Sequence, residues 1–109
     1  MAVVYIAGPI TGKENGNKAA FFSAEYALKK EGYIVLNPCR LPGGLSEFQY
    51  MDICLAMLRS ANYIYLLEGW QTSAGATAEH ALAKKLGLWV ITGGMLPSPV
   101  PPVRYFGNG

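Results

Sequence analysis

Ser73-Ala74-Gly75-Ala76-Thr77-Ala78-Glu79 brings a hydroxyl, a glycine and a carboxylate together at the opening of a segment that reads as a helix. Ser73 can cap that helix and also offer its hydroxyl, while Gly75 and the free N–H groups of the first turn make an anion-friendly rim. Glu79 shares a helix side with Ala76 and Ala83, small residues expected to leave room for a ligand against the carboxylate. The helix dipole is expected to favour the ionised form, which suits a nucleophile or an electrostatic stabiliser better than a proton donor. A solvent-facing helix glutamate is the alternative. His80 points about a third of a turn away and reads more readily as a surface histidine than as a partner of Glu79.

A second constellation is Tyr5-Ile6-Ala7 followed by the loop Gly8-Pro9-Ile10-Thr11-Gly12. Glycines let backbone approach a ligand closely, and a strand-to-helix loop is where phosphates are held. The spacing is not GxGxxG, so no dinucleotide fingerprint is present, and a plain turn competes with a ligand cradle. Trp70 and Tyr5 have the ring area to stack a base, or to fill the core. Cys39 and Cys54 stand alone, without CxxC spacing or a histidine cluster, so reduced buried thiols are expected and no metal or cofactor is implied.

Four strands must position these groups. Ala2–Ala7, Tyr33–Leu36, Tyr63–Leu67 and Leu88–Thr92 are short apolar runs, each closed by a glycine, a proline or a polar turn. Between them lie three helical patterns. The first runs from Lys18 to Glu31 with Phe21, Ala24 and Leu28 on one side, after a polar, flexible-looking stretch from Lys13 to Asn17. The second opens with the capping-box pair Ser46 and Gln49 and carries Met51, Leu55 and Leu58 as its expected buried stripe. The third runs from Ala76 to Leu86, with Gly87 as its stop. The order βαβαβαβ predicts a single α/β domain over residues 1–93, a three-layer, doubly wound, mostly parallel sheet of Rossmann-like or flavodoxin-like type. Its ligand site belongs beyond the carboxyl ends of the strands, among loops 8–17, 37–45 and 69–75. Residues 94–109 hold Pro97, Pro99, Pro101 and Pro102 and are expected to run extended.

Composition narrows the partners. At 109 residues, 51% are hydrophobic and only 15% charged, which is apolar for the length and predicts a homo-oligomer, a dimer or higher. The net charge of +2 is dispersed, without the basic stripe of a nucleic-acid binder. No apolar run approaches the ~20 residues that cross a bilayer, so a cytoplasmic protein with no membrane partner is expected.

Together the segments YIAGPITG, the Asn and Phe entering the first helix, NP after the second strand, YM in the second helix and LLEGWQTSAGATAEHALAKKLG resemble the nucleoside 2-deoxyribosyltransferase superfamily, in its short members often encoded by phages and bacteria. The resemblance reaches from the start of the chain to about Thr92. It implies an N-glycosidase or deoxyribosyltransferase that cleaves the N-glycosidic bond of a (deoxy)nucleoside 5′-monophosphate. Glu79 would be the nucleophile, Tyr5 its neighbour, and Ser73, Gly75 and the loop Gly8–Gly12 the holders of phosphate or sugar. Such chemistry proceeds through a glycosyl ester, as in retaining glycosidases, and needs no cofactor. The sequence departs from the family at two places: Cys54 falls where a second-helix aspartate is usual, with Asp52 on the opposite side of that helix, and Asn62 replaces the aspartate that commonly starts the third strand. A nucleotide-binding protein that keeps the pocket without turnover is the alternative these departures leave open.

Overall fold

The β-branched and aromatic runs form four strands, Val3–Ala7 (β1), Ile34–Leu36 (β2), Tyr63–Leu66 (β3) and Trp89–Thr92 (β4). They pair in parallel as one sheet in the order β2-β1-β3-β4. The computed structural model describes residues 2–92. The extended proline-rich segment expected over 94–109 lies outside the described residues.

Three helices make the crossovers: Lys18–Lys30 (α1), Glu47–Arg59 (α2) and Ala74–Leu86 (α3). The step from β1 to β2 runs one way along the sheet, and the steps from β2 to β3 to β4 run the other way. With right-handed crossovers that reversal puts α1 on one face and α2 and α3 on the other. Side-chain alternation along the strands divides the core accordingly. Val4, Ile6, Tyr63 and Tyr65 pack with Phe21, Ala24 and Leu28 of α1. Tyr5, Ala7, Ile64 and Leu66 pack with Leu58 of α2 and with Ala76 and Ala83 of α3. The three-layer α/β architecture expected from the sequence is the observed one.

Local signals set the helix ends. The capping box is present in full, with Gln49 N donating to Ser46 Oγ at 3.1 Å and Ser46 N donating to Gln49 Oε1 at 2.8 Å. Gly87, at φ 81°, closes α3 in the left-handed conformation that a Cβ disfavours. The polar stretch from Lys13 to Asn17 ends in a short 3₁₀-type turn over Glu14–Asn17, in which Asn15, Gly16 and Asn17 are all left-handed. One expectation needs correcting. Met51, expected in the buried stripe of α2, is 56% exposed while Leu58 is fully buried. The first turns of α2 are exposed, Phe48 as well as Met51, while the contact of the helix with the core is made further along, at Cys54, Leu55 and Leu58.

The loop after β2 is anchored by a group that no sequence pattern singles out. Glu25 of α1 is buried, accepts from Arg40 Nε at 2.8 Å and from Asn37 Nδ2 at 3.2 Å, and ion-pairs with Arg40 Nη2 and with Lys29 Nζ at 3.6 Å. The Arg40 hydrogen bonds dominate and pull the carboxyl down from its usual 4.5 to about 2, against the opposing effect of burial. A carboxylate depressed in the folded state stabilises the fold above its unfolded pKa, and that contribution is lost as pH falls through the folded value. Glu25→Gln is therefore expected to lower stability at pH 7 by about 1–3 kcal/mol, discounted because Arg40 is solvated. Urea unfolding should show the gap between wild type and variant closing as pH drops from about 4.5 towards 2; a gap that persists at pH 2 would remove the ion pair as its cause.

Candidate active site

Tyr5 lies mid-way along β1 with its side chain on the α2/α3 face of the sheet, and it is 1% exposed. Its hydroxyl donates to Glu79 Oε2 at 2.6 Å across 74 residues of chain, so the two residues expected to act together do meet. Burial, then the Glu79 charge and the Cys54 thiol, push the Tyr5 phenol far above its ordinary 10, so it stays a neutral donor at every working pH. Burial also raises the Glu79 carboxyl, only partly offset by the Tyr5 hydrogen bond. This corrects the expectation of a dipole-stabilised carboxylate. Glu79 is the sixth residue of α3, because the helix begins at Ala74, and the dipole effect fades within the first turn.

The expected space beside Glu79 also needs revision. Ala76 is 2% and Ala83 0% exposed, and both belong to the packed seam between α3 and the sheet. They bring the helix close and hold the Glu79 carboxylate against Tyr5; they do not line an opening. Cys54 of α2 packs on the same cluster, where burial raises the pKa of its thiol. Asp52 is exposed. Asn62 has a structural task, its Oδ1 accepting from Val3 N at 2.9 Å to start the β1–β3 pairing.

Of the loop residues, Ser73 is the N-cap of α3, its Oγ accepting from Ala76 N at 3.1 Å, which leaves its own proton free to point outward. Gly75 sits in the first turn, exposed; a Cβ there would meet nothing nearer than Ser73 Oγ at 3.9 Å, so packing does not require glycine. Gly8 is different, because a Cβ would stand 2.8 Å from Leu67 Cβ. Its glycine is explained by the contact between the loops leaving β1 and β3. Pro9 is buried beside Gly69, and Asn17 Nδ2 donates to Pro9 O at 2.9 Å, fixing the loop from below. Ile10, Thr11 and Gly12 are exposed at its tip. Trp70 is half-buried against the α2/α3 cluster with its ring 4.5 Å from that of His80, so His80 pairs with the tryptophan and not with Glu79. Among the described residues no group of side chains could hold a metal ion, and no helix is long and apolar enough to cross a membrane.

Residues 2–92 match a family model described as "Domain of unknown function (DUF4406)". The chain belongs to that family. A comparison with curated proteins found no match. Among solved structures, the DUF4406 fold is similar to "2-desoxiribosyltransferase from Leishmania mexicana", with a TM-score of 0.70 at 19% identity, over 84% of this chain and 63% of the other. The chain thus spans less than two thirds of that protein. The likeness supports the deoxyribosyltransferase-type fold expected from the sequence motifs.

Tyr5→Phe isolates the pair at the centre of this site. Removing the hydroxyl deletes the one interaction that lowers the Glu79 pKa, so the side-chain carboxyl carbon should titrate at higher pH than in wild type in a ¹³C NMR titration. An unchanged midpoint would mean that the hydrogen bond contributes nothing to the ionisation of Glu79.

Proposed function

We propose that this chain is an N-glycosidase or deoxyribosyltransferase acting on a (deoxy)nucleoside 5′-monophosphate, with Glu79 as nucleophile. The observation that carries the reading is the 2.6 Å bond from a permanently protonated Tyr5 to Glu79 Oε2. A neutral donor on one oxygen fixes the carboxylate plane and leaves Oε1, which accepts no bond among the described residues, as the attacking atom. In the proposed step Oε1 forms a bond to the anomeric carbon while the C–N bond breaks and its electron pair leaves with the base. Water or a second base then displaces the ester oxygen, returning the carboxylate. The Ser73 hydroxyl and the uncapped N–H groups of Ala74 and Gly75 are the proposed anchors for the 5′-phosphate, with Gly75 keeping the approach open and Trp70 the proposed ring for the base. The deoxyribosyltransferase fold supports nucleoside handling but does not by itself choose the substrate.

A second reading is a nucleotide-binding protein without turnover. It is favoured by Cys54, which puts a poorly acidic thiol against Tyr5 where the resemblance leads one to expect a carboxylic acid. Incubation with a panel of nucleoside monophosphates and the matching nucleosides separates the two. The enzyme reading expects free base from a monophosphate in preference to its nucleoside, and loss of release by several orders of magnitude in Glu79→Gln, which cannot form the ester. Because the nucleophile must be ionised and its pKa is raised, the rate should fall with decreasing pH along a limb centred above the ordinary glutamate value of 4.5. Base release that persists undiminished in Glu79→Gln would refute the assignment; tight binding with no release from wild type would select the binding protein.

The first turns of α2 expose Phe48 at 82% and Met51 at 56%, one turn apart on one side of the helix. We propose that a second copy of the chain covers this face, as the apolar composition anticipates. Light scattering at micromolar concentration should give a multiple of 11.8 kDa, reduced to the single mass by Phe48→Glu; a wild-type monomer would overturn the proposal.

A further inference from the structure

Across the sheet from the Tyr5–Glu79 pair, a cavity of about 570 Å³ opens between α1 and β3. Its floor is Tyr65 and Leu67, which alternate onto the α1 face, and its wall is a side of α1 made of Ala20, Ser23 and Ala27. Side chains this short leave an open slot along the side of α1, over the edges of Tyr65 and Leu67, whose bodies are buried in the core. The volume lies within the ~300–1,000 Å³ of ordinary small-molecule sites. None of the groups assigned above to the Glu79 site lines it.

The mouth of the slot lies between the loops leaving β1 and β3, where the crossover direction of the sheet reverses. That is the crevice in which doubly wound sheets hold ligands. Two exposed charges stand there, Lys13 from the first loop and Glu68 from the second. Neither takes part in an ion pair among the described residues, where Glu25 alone collects the cations. The mouth is also held in place, because Asn17 on its rim is tied to the Pro9 carbonyl.

We propose that this cavity is a second binding site, separate from Glu79, for a small planar ring compound bearing an anionic group. The ring enters the slot over Tyr65 and Leu67, the anion meets the Lys13 ammonium, and Glu68 accepts from hydroxyl or amine donors between them. A nucleoside 5′-monophosphate carries all three features and serves as the probe. The assignment does not depend on turnover at Glu79.

An amide NMR titration of the full chain with adenosine 5′-monophosphate, adenosine and inorganic phosphate tests it. The monophosphate is expected to shift Ser23, Ala27 and Tyr65 saturably, with adenosine weaker by roughly tenfold or more, since a charge-assisted bond to the anion is lost. Lys13→Glu should weaken the monophosphate by a similar factor and leave adenosine unchanged. Ser23→Trp, an exposed position that fills the slot, should abolish the shifts, whereas Glu79→Gln should leave them intact; the amide spectrum of each variant reports its fold directly. Shifts confined to Tyr5 and residues 73–80, shifts that survive Ser23→Trp, equal shifts from phosphate alone, or no saturable shift at millimolar ligand would each overturn the proposal. Failure of the Glu79 reading would appear instead as absent base release with the Ser23 and Tyr65 shifts intact.

Discussion

The close pairing of β1 with β3 is the constraint on which the rest of the molecule depends. These two strands are sequence-distant neighbours at the centre of the sheet, in register from Val4 opposite Tyr63 to Ala7 opposite Leu66. The pairing continues past the strands, with Leu67 N donating to Ala7 O at 2.9 Å and Gly8 lying so close to Leu67 that a Cβ has no room. Because the crossover direction reverses between them, the loops that leave these two strands diverge onto opposite faces and open a crevice. Among the described residues, the outward rim of α3 lies towards one face of that crevice and Lys13 and Glu68 towards the other. The glycine at position 8 lets the two loops meet.

Two glutamates on helices that flank this sheet show how placement decides ionisation. Glu25 is buried, yet its pKa is pulled down to about 2 because Arg40 and Asn37 both donate to its charged form. The pKa of Glu79 moves up because the loss of water outweighs its single donor, a neutral phenol. A carboxylate surrounded by cations is a clamp: its charge is satisfied and its oxygens are occupied. A carboxylate raised by desolvation, with one oxygen uncommitted, is held in a state from which bonding to an electron-poor carbon releases unfavourable charge. Perturbation alone does not mark function, since Glu25, whose carboxyl is held well below its usual range, belongs to a structural clamp.

Much of this was legible in residue types and spacing. Period and punctuation located all four strands and three helices, because each is bounded by a strong stop such as Gly32 or Gly87 or by the Ser46 capping box. The partnership of Tyr5 with Glu79 was anticipated through the family motifs and not through local pattern, since nothing in a 74-residue separation encodes a contact. What escaped the sequence depends on tertiary placement. Glu25 looks like any helix glutamate until α1 is laid beside the loop that carries Arg40. Ala76 and Ala83 are equally good at opening a pocket and at drawing a helix onto a sheet, and only the packing shows that they do the second. Met51 follows the helical period of α2 yet is exposed, because periodicity gives the direction a side chain faces but not where along the helix its contact with the core begins.

The graded burial of α2 links packing to the site. Leu58, near the carboxyl end of α2, is sealed against the sheet, Cys54 one turn earlier shares a cluster with Tyr5, and Met51 and Phe48, in the first turns, hold apolar side chains in solvent. One helix thus passes from core, to the Tyr5–Glu79 pair, to an uncovered hydrophobic surface within three turns. A surface docked on Phe48 and Met51 would lie at the end of α2 that follows the carboxyl end of β2, the end of the sheet to which the crevice also belongs. Desolvation already raises the pKa values of Tyr5, Cys54 and Glu79 in the isolated chain. Further exclusion of water would act in the same direction and would strengthen the one hydrogen bond that holds the carboxylate in place.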